Sequence, residues 1–359
     1  MSSITQGAVE AVLAEFKDPE TGRSAKQLGQ FRDVHVTGDT ISLTLELTTH
    51  SKPLWSDSRE NLTQLLNSRF PTASVKIELA EHVRPPEKIG QIGLTAKSVI
   101  AVGSGKGGVG KSTVAASLAL GLKRSGCKVG LMDADVYGPS IPHLLGLGDA
   151  GRPEVVNQKI QPVMFEGMPV ISMGFLVPPG EAVVWRGPML HGAITQFLRD
   201  TAWGDLDYLI IDMPPGTGDI ALTLSQMLPL TGAVVVCTPQ EVALLDAVKA
   251  IAMFRKVNIP ILGMVENMSG FLCPDNGKRY DIFGSGGARL KAEELAVPFL
   301  GEVPITISIR ENGDAGLTAN NFADPQSAPY FERIVYKLVK NIADDLSVKP
   351  MQPSLPVLS

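Results

Sequence analysis

At 359 residues, with 44% hydrophobic and 19% charged positions and a net charge of -5, the chain is long enough for two packed domains, and it carries no basic excess that would draw it to nucleic acid or an anionic membrane. It has no charged start followed by an apolar core and no apolar run that could span a bilayer, so the cytoplasm is the expected compartment. Its 3 cysteines, Cys127, Cys237 and Cys273, are too few and too scattered for a disulfide framework.

In chain order, Val9, Val12, Leu13 and Phe16 recur at helical spacing, and Asp18-Pro19-Glu20-Thr21-Gly22 ends that pattern. Alternation follows: Val34 and Val36, a Gly38-Asp39 turn, then Ile41, Leu43, Leu45 and Leu47, which predicts a hairpin with one buried face. Leu62, Leu65, Leu66 and Phe70 return to helical spacing, and Val75, Ile77 and Leu79 alternate again. The order α-β-β-α-β makes residues 1–82 a small α+β domain. His35, His50 and His82 are unclustered there and read as surface or structural histidines. Residues 83–97, with Pro85-Pro86, Gly90 and Gly93, read as a linker.

A second domain is expected over 98–346. The apolar run Ser98-Val99-Ile100-Ala101 leads into Val102-Gly103-Ser104-Gly105-Lys106-Gly107-Gly108-Val109-Gly110-Lys111-Ser112-Thr113, and a helical run follows. Gly105, four residues, Gly110, Lys111, Ser112 is P-loop spacing: glycines let backbone N–H groups close around phosphate, Lys111 reaches the terminal phosphates, and Ser112 ligates Mg²⁺. The apolar run Val129-Gly130-Leu131-Met132 then delivers Asp133 and Asp135 to a strand's C-terminal edge, where ligands bind in open parallel sheets.

Tyr208-Leu209-Ile210-Ile211 delivers Asp212 before Met213-Pro214-Pro215-Gly216-Thr217-Gly218-Asp219, the pattern of a Walker B and switch segment that holds Mg²⁺ and senses the γ-phosphate. An aspartate there could also cap a turn; beside a P-loop, the metal role of Asp212 is the stronger reading. Further strands at Ala233-Val234-Val235-Val236 and Ile261-Leu262-Gly263-Met264-Val265, with a helix between them, predict a doubly wound, mostly parallel α/β sheet. Phe331, Ile334, Val335, Leu338, Val339, Ile342 and Leu346 form an amphipathic stripe whose flanking charges cancel, so core packing is expected rather than a membrane-surface helix. His191 reads as a helix-surface residue. Residues 347–359 form a proline-rich tail.

These motifs carry a family resemblance. Lys106, just after the first loop glycine, makes 105–113 a deviant Walker A of the kind that resembles the dimerising MinD/Mrp group of P-loop ATPases. Asp133-Ala134-Asp135-Val136-Tyr137-Gly138-Pro139-Ser140, Trp185-Arg186-Gly187-Pro188-Met189, the Asp212–Asp219 motif and Glu266-Asn267-Met268-Ser269 resemble, more narrowly, the Mrp/ApbC iron–sulfur cluster carriers, and residues 1–82 resemble their MIP18-like module.

The resemblance implies that Gly105, Gly107, Gly108, Val109, Gly110, Lys111, Ser112 and Thr113 wrap the phosphates of ATP. It implies that Asp135 positions the attacking water, Asp212 serves the Mg²⁺ site, Asn267 reads the adenine edge, and Lys106 reaches the partner's nucleotide across a homodimer. It further implies ATP hydrolysis linked to delivery of iron–sulfur clusters to apoproteins, with assembly scaffolds as further partners. In the carriers, two Cys-x-x-Cys pairs hold one [4Fe–4S] cluster between subunits. Here Cys273 is present, but Asn276 stands at the second position. The missing donors would come from Asp275, from Cys127 or Cys237, from a client, or from a small thiol. The N-terminal module's Thr-rich loop, Thr48-Thr49-His50-Ser51-Lys52-Pro53, has no cysteine either. Cys127 and Cys237 read as structural, and a nucleotide-switched scaffold or positioning ATPase of the MinD/ParA type without a cluster is the rival reading.

Overall fold

A computed structural model describes residues 4–136, 138–176, 187–216 and 218–348. Tyr137, Trp185, Arg186, Thr217 and the tail from residue 349 on lie outside the described residues. The chain divides into two compact units, one of Met1–Arg84 with Val339–Ser359, the other of Pro85–Leu338.

The first unit contains helix α1 (Gln6–Leu13), strands β1 (Phe31–Thr37) and β2 (Thr40–Leu47), helix α2 (Trp55–Arg69) and strand β3 (Ser74–Glu81). β1 and β2 are antiparallel and β3 joins β2 in parallel. Alternation along β2 turns Ile41, Leu43 and Leu45 onto Val9, Leu13, Leu62 and Leu66, which form the core. The cysteine-free Thr-rich loop folds into a 3₁₀ turn, Thr49–Leu54. Beneath it lies a buried polar cluster in which Thr48 donates to Glu20, which also holds Arg84 at 2.7 Å. His50 is buried near Glu20, a structural rather than a surface histidine.

The second unit begins with β4 (Lys88–Ile89), β5 (Leu94–Gly103), α3 (Lys111–Arg124), β6 (Val129–Asp133) and α4 (Ile141–Leu144). The short strands β7 (Val155–Val156), β8 (Lys159–Ile160), β9 (Val163–Phe165) and β10 (Met168–Ser172) follow. After them come α5 (Gly187–Asp200), β11 (Leu206–Asp212), α6 (Gly218–Met227), β12 (Gly232–Cys237), α7 (Glu241–Lys256), β13 (Ile261–Leu272) and β14 (Arg279–Tyr280). The last elements are α8 (Gly287–Glu294), β15 (Phe299–Ile305), α9 (Ile307–Asp314) and α10 (Ala328–Val348), whose residues from Val339 on are counted with the first unit.

Among the described residues the main sheet has 10 strands in the order β14-β13-β12-β5-β11-β6-β10-β9, with β15 on β13 and β4 on β5. Its centre is parallel, and β4, β9 and β14 pair antiparallel. The expected mostly parallel α/β sheet is therefore present, and β6, β11 and β12 are buried along their whole length, as strands covered on both faces must be.

Two strands run beyond the sequence expectation. β5 begins at Leu94 because the buried residues Leu94 and Ala96 alternate with Thr95 and Lys97, and Lys97 pairs with Asp207 at 3.1 Å. β13 continues past Val265 to Leu272 through an irregular stretch. The amphipathic stripe of α10 is buried from Phe331 to Ile342, with Leu346 exposed. A Cβ at Gly121 would come within 2.7 Å of Val335, so the closeness of α3 to α10 requires glycine there. His191 lies on the exposed face of α5, its Nδ1 3.0 Å from the Thr223 hydroxyl.

Candidate functional site

Parallel order brings the C-terminal ends of β5, β6 and β11 together, and each delivers polar groups to the same edge. β5 ends at Gly103, the loop runs from Ser104 to Gly110, and α3 starts at Lys111 with its unpaired backbone N–H groups facing that edge. Gly110 has φ 78°, and a Cβ there would stand 2.1 Å from Asn267 Nδ2. A Cβ at Gly105 would stand 2.1 Å from the Asp246 carbonyl oxygen. Only glycine fits either place.

Lys111 is buried, and its ammonium lies 2.5 Å from Asp212 Oδ1, 3.6 Å from Asp135 Oδ2 and 3.2 Å from Ser112 Oγ. The P-loop lysine, the aspartate at the end of β11, the Asp135 loop and the Ser112 hydroxyl thus meet at one point. Burial raises the pKa of the Asp212 carboxyl, and the Lys111 charge opposes that rise. Asp212 Oδ2 is buried and has no hydrogen-bond partner.

Behind this cluster sits Asp133, which sequence reasoning placed at the edge without a role. It is fully buried, and its carboxylate accepts from the backbone N–H of Asp135 at 3.1 Å, from that of Ile141 at 3.2 Å and from Ser172 Oγ at 2.9 Å. Burial and then the Asp212 charge push its pKa up to about 8, against the pull of these three donors. Asp133 therefore ties the Asp135 loop to α4 and β10. Nothing near Asp133 in sequence announces Ser172.

A cavity of about 770 Å³ adjoins this point, lined among others by Lys106, Thr113, Asp135, Asn267, Ile305 and Arg310. That size holds a small ligand with a polar head and a flatter body. Asn267 is buried, with its Nδ2 donating to the Val109 carbonyl at 2.9 Å, so the predicted base reader is tied to the phosphate loop.

Cys273 is half-buried at the start of the β13–β14 turn, where its N–H donates to the Lys278 carbonyl and its carbonyl accepts from Gly277 N, both at 2.9 Å. Asn276 is used up by that turn: Oδ1 accepts from Lys278 N at 2.9 Å and Nδ2 donates to the Tyr280 hydroxyl at 3.2 Å. Cys127 and Cys237 are buried, and burial pushes the Cys237 thiol up to about 12. No group of three or more metal-ligating side chains occurs among the described residues. No described helix is long and apolar enough to cross a membrane.

Sequence reasoning named Glu266 and Ser269 only as part of a motif, with no role, and passed over Arg279 and Glu302. Their partners lie up to 33 positions apart in the chain, and no local pattern signals a buried ionic cluster.

Comparison with known proteins gives a consistent picture. A family model described as NUBPL iron-transfer P-loop NTPase matches residues 95–342, and one described as iron-sulfur cluster assembly protein matches residues 6–79. A Deinococcus radiodurans protein named iron-sulfur cluster carrier protein is 46% identical over 354 residues, 98% of this chain and 99% of its own. An Escherichia coli K12 protein of the same name is 41% identical over 340 residues, 94% of this chain and 91% of its own. A solved Archaeoglobus fulgidus nucleotide-binding protein in complex with ADP is 42% identical with a TM-score of 0.58, covering 66% of this chain and 93% of that one. The Pyrococcus furiosus cell division ATPase MinD, 24% identical with a TM-score of 0.51 over 67% of this chain and 98% of that one, shares the fold.

Proposed function

The chain belongs to the family of NUBPL-type iron-transfer P-loop NTPases, and from that premise we propose that it binds and hydrolyses ATP as a homodimer and carries iron–sulfur clusters to apoproteins. The observation that carries the nucleotide half of this reading is the meeting of Lys111, Asp212, Asp135 and Ser112 at the head of the cavity. Gly105, Gly107, Gly108, Val109, Gly110, Lys111, Ser112 and Thr113 wrap the phosphates, Asn267 faces the base, and Asp135 holds the attacking water. Lys106, which lines the cavity, extends to the nucleotide of a second copy.

The unpartnered, buried Asp212 Oδ2 and the Ser112 hydroxyl fit Mg²⁺, a hard cation that takes oxygen ligands. When bound, Mg²⁺ supplies charge neutralisation at the phosphate oxygens. The protein's own part is positioning: Lys111 turns from Asp212 to the phosphates, α3 presents its N-terminal amides, and Asp133 holds the Asp135 loop in place through Ser172 and Ile141.

The cluster is cargo, held on the Cys273 thiolate. Asn276 is occupied in the turn and Cys127 and Cys237 are buried, so the remaining donors come from a second copy's Cys273, from Asp275, from a client protein or from a small thiol. Residues 1–82 act as the MIP18-like module, 98–346 as the ATPase domain and 347–359 as a tail, and 83–97 joins the two domains while its residues 88–89 and 94–97 belong to the main sheet, in a cytoplasmic protein with no nucleic-acid or membrane partner.

The locked Asn276 favours one rival, a nucleotide-switched scaffold that holds no cluster. Anaerobic reconstitution with iron and sulfide separates the two readings. The carrier reading expects a cluster absorption band in the wild type that Cys273→Ala abolishes; a missing band in the wild type supports the scaffold, and a band that survives the substitution overturns Cys273 as the ligand.

A further inference from the structure

Between the cavity and the Cys273 turn, β13 breaks its ladder. Its pairing with β15 runs Glu266 to Glu302 and Asn267 to Val303, then resumes at Phe271 to Ile305, so the step from 267 to 271 faces only the step from 303 to 305. The surplus residues form a bulge in which Met268, with φ 59°, and Gly270, with φ 70°, flank Ser269 in left-handed backbone. A non-glycine residue is strained there, so the surrounding structure must hold Met268 in place. Met268 also lines the nucleotide cavity.

What holds the bulge is ionic. Ser269 is fully buried; its Oγ lies 2.6 Å from Glu266 Oε1 and 2.9 Å from Glu302 Oε2, and accepts from Arg279 Nη2 at 2.9 Å. A hydroxyl has one proton to donate, so Ser269 serves one carboxylate at a time. Glu266 is anchored by the N–H groups of Gly286 at 2.7 Å and Ala288 at 2.6 Å, at the start of α8. Arg279 grips Glu302 through two nitrogens at 2.8 and 3.2 Å and reaches Asp281 at 3.3 Å. Arg279 also pairs across the hairpin with Leu272, next to Cys273, and follows Lys278, whose carbonyl accepts from Cys273 N. A Cβ at Gly270 would stand 2.4 Å from Arg279 Nε, so the bulge and the guanidinium are fitted to each other.

We propose that Arg279 is a positioning residue that couples the nucleotide cavity to the Cys273 turn: by fastening Ser269 of the bulge to Glu302 of β15, it transmits a displacement of Asn267 and Met268 by bound nucleotide to the turn that presents the thiol. The coupling rests on the ATP-binding reading above. The bulge supplies the two-arrangement joint that transmission needs, because Ser269 has two carboxylates between which its proton is shared.

The test is the rate of Cys273 alkylation in the full chain, followed by peptide-resolved mass spectrometry with and without Mg²⁺–ATP, with ATP affinity measured in parallel by equilibrium binding. The buried Cys127 and Cys237 serve as internal references. In the wild type, ATP should change the Cys273 rate by at least about fivefold, the lower end of ordinary coupling energies. Arg279→Gln and Ser269→Ala should each bring that change below about twofold while leaving ATP affinity within about threefold of wild type. Ser269→Ala keeps the Arg279–Glu302 pair, so it decides the matter where Arg279→Gln does not fold. Two results overturn the coupling: a wild type that binds ATP with an unchanged Cys273 rate, or folded variants that keep the full nucleotide effect. A wild type that does not bind ATP overturns the nucleotide reading itself and the coupling with it.

Discussion

Lys111 lies between two buried carboxylates, those of Asp135 and Asp212, and that placement gives it a structural part beside the functional one proposed above. Lys111→Ala should cut ATP hydrolysis by at least about 100-fold in a steady-state phosphate-release assay, the scale expected when a preorganised charge is removed. It should also lower the melting temperature, because it leaves buried carboxylates without a counter-charge. Gly110→Ala meets two obstacles, left-handed backbone at φ 78° and Asn267 Nδ2 at 2.1 Å. ATP affinity measured by titration should fall by about tenfold or more, equivalent to about 1.4 kcal/mol, since strain of that size is what a side chain costs there.

Glu302 gives a prediction with pH. The Arg279 hydrogen bonds hold its carboxyl below the usual carboxylate range, so the folded state binds that proton less readily than the unfolded chain. Its contribution to stability is therefore present above the unfolded value of 4.5 and is lost as pH falls through the folded value. The urea midpoint of wild type should exceed that of Glu302→Gln at neutral pH, and the gap should close in strong acid. A gap that widens in acid would contradict the assignment.

At the scale of elements, Glu266 replaces ordinary capping at α8, whose N-cap residue, Gly286, has no side chain to offer. Its carboxylate takes two backbone amides and the Ser269 hydroxyl in a fully buried place. Glu266→Ala should destabilise the protein by about 3 kcal/mol, the cost of leaving buried donors unpaired, with hydrogen exchange rising first in residues 286–294. None of this was legible beforehand. The phosphate loop, Asp135, Asp212 and the central strands could be read because each rests on local spacing: glycines at fixed offsets, or an apolar run that ends in an acid. The extension of β13 to Leu272 could not be read, because Met268 and Gly270 break the alternation that marks a strand, and the pairing that sustains it comes from β15 some 30 positions on. The same holds for Asp133. Its position was visible, but its partners Ser172 and Ile141 come together only when β10 lies beside β6.

For the whole molecule, the proposed function requires two copies. Sedimentation in Mg²⁺–ATP should show the mass of a dimer and a return toward the monomer in ADP, and Lys106→Ala should prevent the ATP-dependent species while Lys111 remains in place. Hydrolysis per chain should rise with protein concentration over the same range. A concentration-independent rate from a monomeric species would remove the dimer from the account.

The turn at Cys273 has a further consequence. Structural zinc loops are shaped by the metal they enclose and collapse when it leaves. Here the amide of Asn276, the Tyr280 hydroxyl and the backbone of Cys273, Gly277 and Lys278 hold the turn through their own hydrogen bonds. Under the carrier function proposed above, a thiol mounted on such a self-supporting turn would release its cluster without losing its fold, so emptying and refilling would be a cycle of ligand exchange rather than of unfolding and refolding.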